Sequence, residues 1–181
     1  IYAQHFLIQK KAKYMYPVFD YISKKPASLT EKKNIIAYNP KKGFEFTEPI
    51  IKKLEKKHKF IPIINMNKDE VTDLLAKSKI YIDLGNHPGK DRLPREAALN
   101  KNIIITSLRG AAFFENDTPI PKSYKFYEWD TENICSKIND CIENYDNYIN
   151  DFLPYINIIN NQKNEFIEQV KSLVKQTTIT N

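Results

Sequence analysis

Glycine is scarce in this 181-residue sequence, with four in all, and arginine is scarcer, with three among 28 basic residues. Cysteine occurs twice, as Cys135 and Cys141. Six residues along a helix give a rise of about 9 Å and a rotation of about 240°, so these thiols cannot join without unwinding their segment. A disulfide scaffold is thereby excluded, and a reducing cytoplasm is the expected compartment. Two cysteines and three dispersed histidines do not make a structural zinc site. No run approaches the roughly 18 apolar residues of a membrane span. Methionine occurs only as Met15 and Met66 and no leader pattern opens the sequence, so the expectation is a processed chain or a part of a longer polypeptide. No Ser/His/Asp or Cys/His nucleophile pattern, no paired carboxylates and no metal-ligand spacing stand out.

What is present suffices for a core: 41% of residues are hydrophobic and 28% charged, which excludes wholesale disorder in a chain long enough for one domain. The net charge of +6 is uneven, at +9 over residues 1–66, +2 over 67–127 and −5 over 128–181. A basic first third suits an anionic ligand. Nucleic acid is one such ligand, and Lys10, Lys11, Lys13, Tyr14 and Tyr16 would be its contacts. The aromatics there fit core stripes instead, so no nucleic-acid partner is expected.

Along the chain, residues 1–32 predict a short amphipathic helix, with Tyr2, Phe6 and Leu7 at helical spacing, followed by a linker broken by Pro17 and Pro26. Strands are predicted at Ile35–Tyr38, Phe60–Ile64, Ile80–Leu84 and Asn102–Thr106, with a weaker fifth near Tyr124–Tyr127. Between them lie helices over Thr47–Lys57, after Asn67, where Glu70 completes a capping box, and from Asp91 to Leu99. This alternation predicts an α/β fold, a Rossmann-like three-layer sandwich with a mostly parallel sheet ordered near 2-1-3-4-5. It occupies residues 33–128. Two C-terminal helices over 129–175 are expected to pack on it. One carries Ile134, Ile138, Cys141, Tyr145 and Tyr148 on a face; the other is capped by Asp151 and carries Phe152, Ile156, Ile159, Phe166, Val170 and Leu173. Residues 176–181 are expected to fray.

The scarce residues gather where such a sheet binds ligands. Gly43, Gly85, Gly89 and Gly110 each follow a predicted strand's C-terminal end, the edge at which parallel sheets take their ligands. Arg92, Arg95 and Arg109 fall within eighteen residues of one another at two of these ends, in a chain that elsewhere uses lysine. Guanidinium is planar and suits bidentate phosphate contact, and a helix starting near Asp91 adds free N–H groups. The plainer role for these arginines is pairing with Asp83, Asp91 or Glu96. The loop Asn39-Pro40-Lys41-Lys42-Gly43 offers a second basic turn before a helix, though it matches neither a P-loop nor GxGxxG. In a 2-1-3-4 order, this loop and the Gly85–Arg95 loop flank the switch point. His87 is placed to orient a sugar or phosphate, and Glu96 to accept hydrogen bonds from ribose hydroxyls or to pair with Arg92 four residues earlier.

The run Tyr81-Ile82-Asp83-Leu84-Gly85-Asn86-His87-Pro88-Gly89-Lys90-Asp91-Arg92-Leu93-Pro94-Arg95-Glu96-Ala97-Ala98, continued by Ile103–Thr106 and Arg109-Gly110, resembles the donor-site segment of bacterial GT-B glycosyltransferases of the lipopolysaccharide and capsule type. The Asn39–Gly43 loop resembles that family's first basic loop, and the likeness covers about residues 34–127. The resemblance implies a nucleotide-sugar-binding lobe, with the substrate held by Lys41, Lys42, Gly43, His87, Gly89, Lys90, Arg92, Arg95, Glu96, Arg109 and Gly110. Glu96 stands where the family's ribose-binding glutamate would be. Pro88 stands where many retaining members carry a further glutamate. The resemblance further implies transfer of a hexose from a nucleoside diphosphate sugar to a surface glycan or lipid-linked acceptor held by a second, N-terminal lobe. It implies no cofactor and no obligatory metal, and a cytoplasmic location at the inner face of the membrane. The alternative from the residues alone is a non-catalytic nucleotide-binding or regulatory α/β module.

Overall fold

The computed structural model describes residues 21–22 and 31–178. The predicted N-terminal helix and most of its linker lie outside these, as do residues 179–181. Five strands form one all-parallel sheet ordered β2-β1-β3-β4-β5: β1 Lys33–Tyr38, β2 Lys59–Pro62, β3 Ser78–Asp83, β4 Ile103–Ser107 and β5 Lys125–Phe126. The expected fold class and strand order are therefore the observed ones. Helix α1 (Phe44–Leu54) joins β1 to β2, α2 (Lys68–Lys77) joins β2 to β3, and α3 (Arg92–Leu99) joins β3 to β4. After β5 come α4 (Thr131–Glu143), the single turn α5 (Tyr145–Tyr148) and the long α6 (Leu153–Thr178).

Right-handed crossovers put α1 on one face of the sheet and α2 and α3 on the other. Helix α4 joins α1: Lys53 pairs with Glu132, Lys57 with Glu143 at 3.2 Å, and His58 meets Asn139 at 2.7 Å. With both faces covered, the central strands read as unbroken apolar runs. Ile36, Ala37, Ile80, Tyr81, Ile82 and Ile103–Ile105 are all fully buried.

Two compact units divide the chain. One is Lys24–Ile156, which holds the whole sheet; the other combines residues 1–23 with 157–181. Within the second, the Tyr21 and Phe166 rings lie 5.2 Å apart.

Local signals explain most boundaries, and the exceptions have causes. The Asn67 carboxamide accepts from the Asp69 and Glu70 N–H groups while Glu70 accepts from Asn67 N–H at 2.7 Å, the reciprocal box the sequence predicts. Helix α1 starts at Phe44, three residues before the expected Thr47, because Gly43 turns the chain in the left-handed region (φ 62°) and Pro49 is accommodated inside the helix. The predicted cap Asp91 occupies the N-cap position of α3, but its side chain makes no capping bond and serves other partners. Asp151 likewise caps nothing. It lies in a 3₁₀ turn and accepts the Tyr124 hydroxyl proton at 2.6 Å. The face predicted from Ile134 to Tyr148 is interrupted at Asn144, whose backbone leaves the helix after α4.

Candidate functional site

Three loops at the C-terminal edge of the sheet touch one another, and glycine is what lets them. A Cβ on Gly43 would lie 2.7 Å from the Gly85 nitrogen, and one on Gly85 would lie 2.4 Å from Lys42 Cβ. The loop after β1 is thus pressed onto the loop after β3. Gly110 (φ 60°), in the loop after β4, pairs with His87 in an isolated parallel bridge, and a Cβ there would lie 2.2 Å from the His87 carbonyl oxygen. Ala111 N–H donates to that same carbonyl at 2.7 Å, and the Ser107 hydroxyl to the Gly85 carbonyl at 3.0 Å. Gly89 differs: nothing lies within 4 Å of the Cβ it lacks. The junction stands where β1 and β3 diverge to their successors, at the switch point of the sheet. Helices α1 and α3 both begin beside it, with N–H groups unpaired within the helix.

Beneath the junction runs a chain of ionisable groups. Asp83, at the end of β3 and 1% exposed, accepts from the Tyr81 hydroxyl at 2.9 Å and from Gly85 N–H at 3.1 Å. Burial, with the Asp83 charge behind it, pushes the Tyr81 hydroxyl well above the ordinary phenol range, so it stays a donor. His87, also 1% exposed, lies between two carboxylates. Its Nε2 is 3.5 Å from Asp83 Oδ1 and its Nδ1 is 3.3 Å from Asp91 Oδ2. Asp91 in turn holds Lys42 Nζ at 2.5 Å, so an ion pair spans the loops after β1 and β3.

The other expected site residues fall into groups. Lys41 is exposed on the first loop, and Lys90 half-buried on the second. Arg92 Nε donates to Glu96 at 2.6 Å, so in this structure the helical pairing occupies both residues. The Arg109 guanidinium lies over the Phe46 ring, 5.5 Å from its centroid, with Glu128 at 3.6 Å. Arg95 is 1% exposed, and its guanidinium donates to the backbone carbonyls of Asp91 (3.2 Å) and Lys90 (3.0 Å). It braces the loop from within. The sequence offers Asp83 only as a partner for arginine and does not single out Tyr81 or Ser107 as site residues. Asp83, His87 and Asp91 recur every fourth residue, a spacing that signals a common face only on a helix. Here it runs from a strand end through a loop, and only the fold brings the three together. A groove of about 650 Å³, lined by Lys33, Ile35, Lys59, Ile61, Met66 and Leu74 among others, lies instead along β1, β2 and α2.

No family model and no curated protein matches the chain. Solved structures do. HepE of Anabaena in complex with UDP-glucose matches with a TM-score of 0.56 and 11% identity, over 79% of this chain and 49% of that one. A mutant of S. aureus TarM, in complex with fondaparinux, α-GlcNAc-glycerol and UDP, matches with a TM-score of 0.67 and 13% identity, over 94% and 41%. AviGT4, a glycosyltransferase involved in avilamycin A biosynthesis, gives 0.49 and 11%, over 84% and 55%. At these identities the likeness is one of fold, the Rossmann-like α/β lobe. The chain spans about half the length of the structures it matches.

Proposed function

We propose that this chain is the donor-binding lobe of a GT-B-type glycosyltransferase, moving a hexose from a nucleoside diphosphate sugar to a surface-glycan or lipid-linked acceptor. The observation that carries the reading is the junction of three glycine-tightened loops at the switch point, with Lys42, Arg92 and Arg109 around it. Likeness in fold to HepE, solved with UDP-glucose, and to TarM, solved with UDP, supports the reading and makes uridine diphosphate the first nucleotide to test.

In the reaction, an acceptor hydroxyl oxygen bonds to the anomeric carbon and its proton is released to solvent. The bond from that carbon to the β-phosphate oxygen breaks, and the diphosphate leaves with the electron pair. The task of this lobe is to hold that leaving group. Lys42 and the opening N–H groups of α1 and α3 offer donors aimed at developing negative charge, fixed in advance by the packed loops. Glu96 accepts from ribose hydroxyls, and its present partner Arg92 then turns to phosphate. Arg95 acts at one remove, by fixing the carbonyls of the loop from which Asp91 and Lys90 project. The acceptor site belongs to the remainder of a longer protein, working at the inner face of the membrane. Among the described residues no helix is long and apolar enough to cross one.

Calorimetry with UDP-glucose and UDP tests this. The expected result is binding of both, tighter for UDP-glucose, and at least about tenfold weaker in Lys42→Ala, the scale of one lost charge-assisted hydrogen bond. Equal affinity for sugar nucleotide and plain nucleotide favours a regulatory nucleotide-binding module. Failure to bind either refutes both.

A further inference from the structure

The groups under the loop junction are better suited to a cation than to one another. Among the described residues, five buried side-chain polar atoms lack a hydrogen-bond partner, and three of them lie together here: both His87 ring nitrogens and Thr106 Oγ1. Thr106 is the register partner of Asp83 on the neighbouring strand, so the two side chains stand on one face, about 4.8 Å apart at the backbone. A fully buried imidazole without a partner keeps the cost of its lost hydration, which something should offset. The neighbouring carboxylates do not. At 3.3 and 3.5 Å they face the ring nitrogens without making hydrogen bonds.

The separation at whichever ring nitrogen meets an ion fits another geometry. A tetrahedral ion with ligand atoms about 2.1 Å away sets neighbouring ligand atoms about 3.4 Å apart. One donor atom from each of Asp83, His87 and Asp91 can be chosen so that all lie within 4.8 Å of one another, close enough to converge with small side-chain rotations. An ion takes one ring nitrogen. It takes one oxygen from each carboxylate with it. Lys42 is the cation paired with these carboxylates; the buried Arg95 guanidinium is held on the Asp91 backbone carbonyl instead.

We propose that Asp83, His87 and Asp91 form a binding site for one divalent first-row transition cation, of the Mn²⁺ or Zn²⁺ class, beneath the junction of the three loops. Imidazole with two carboxylates is a mixed donor set that suits these ions better than Ca²⁺ or Mg²⁺, which favour all-oxygen shells. The site does not depend on the glycosyltransferase reading, and no step of that reaction is assigned to the ion. Its consequence is local. Lys42 Nζ now occupies Asp91 Oδ2, so cation and lysine compete for that carboxylate, and a bound ion releases the Lys42 ammonium toward the crevice above.

The test titrates the 181-residue chain separately with Mn²⁺ and Zn²⁺ by calorimetry, with no nucleotide present. The expected result is one ion per chain, weakened about tenfold or more in His87→Gln and in Asp91→Asn, since even outer-shell losses reach that size. Lys42→Ala should bind the ion more tightly than wild type, because its competitor is gone. Circular dichroism confirms that each variant is folded. Asp91, partly exposed, keeps the test available if His87→Gln unfolds. No saturable binding of either ion overturns the proposal. Wild-type affinity in both His87→Gln and Asp91→Asn overturns it too, by locating the ion elsewhere.

Discussion

Gly85→Ala puts a methyl group where Lys42 Cβ stands, at 2.4 Å, with the Lys42 carbonyl carbon at 3.0 Å and its Cα at 3.1 Å. Carbon atoms in contact prefer about 3.5–4.0 Å, so the first loop must retreat by more than an ångström. Two of the three obstructing atoms are backbone, and rotating a side chain does not relieve them. Forcing backbone apart in a packed site costs about 1–3 kcal/mol. With about 2–4 °C of melting temperature per kcal/mol at this chain length, the loss is roughly 2–12 °C. The displaced residue is Lys42, so UDP-glucose affinity should fall with stability. Gly89→Ala is the internal control. It lies four residues along the same loop, at a backbone angle any residue adopts, with nothing within 4 Å of the added carbon. Narrowing the unfolded ensemble should leave that variant unchanged or up to about 1 kcal/mol more stable. Thermal denaturation and calorimetry on the three proteins decide the matter. If Gly85→Ala melts and binds like Gly89→Ala, the loops are not held by close approach, and this account of the junction is wrong.

Lys32 donates to the carbonyls of Leu75, Ser78 and Asn100 at 2.6–3.0 Å, and burial, helped by Lys101, lowers its pKa to about 7. The unfolded chain holds that proton to higher pH, so stability should rise between about pH 7 and 9, and urea denaturation of Lys32→Met should lose that slope. Burial pushes the Cys141 thiol up to about 12 and raises Cys135 as well. Alkylation at pH 8, followed by mass spectrometry, should therefore be far slower in the native chain than in urea, and equal rates would contradict the packing of α4. Glu96→Gln should remain folded, weaken binding of UDP-glucose, and discriminate less than wild type against 2′-deoxy and 3′-deoxy analogues. An unfolded Glu96→Gln would show that the pairing with Arg92 is structural instead.

Sheet order is legible in this sequence because each central strand is an apolar run too short for a helix, separated from the next by a helical stripe with its own cap. Asn67 and Glu70 announce α2 outright. The loop junction is legible for a different reason. Four glycines in 181 residues cannot serve as general punctuation, and three of the four prove to be points where loops touch. Arginine is a weaker guide. Its concentration near residues 92–109 falls at the loop junction, yet the side chain's length lets Arg95 turn inward to two carbonyls while Arg92, three residues earlier, stays at the surface. Direction of that kind depends on the loop path, which no local signal encodes. The same holds for Asp91, a proper N-cap residue whose carboxylate finds a stronger partner in Lys42.

The charges at the crevice also bear on how a ligand would enter it. Lys42, Arg92 and Arg109 each face a carboxylate, respectively Asp91, Glu96 and Glu128. An arriving diphosphate therefore exchanges existing ion pairs for new ones, and the gain in any single contact is a difference between two attractions. The helix N-termini are not offset in this way, because no side chain caps α1 or α3. Their N–H groups can meet a phosphate at no cost in broken pairs, and they depend on loop geometry alone. Fixed backbone donors, then, rather than basic side chains, would contribute the larger net part of phosphate binding here. On that reasoning the glycines that hold the loops should outweigh any one cation: Gly85→Ala should lower UDP affinity more than Arg92→Ala does. The reverse order in a single calorimetric series would assign the phosphate to the guanidinium instead.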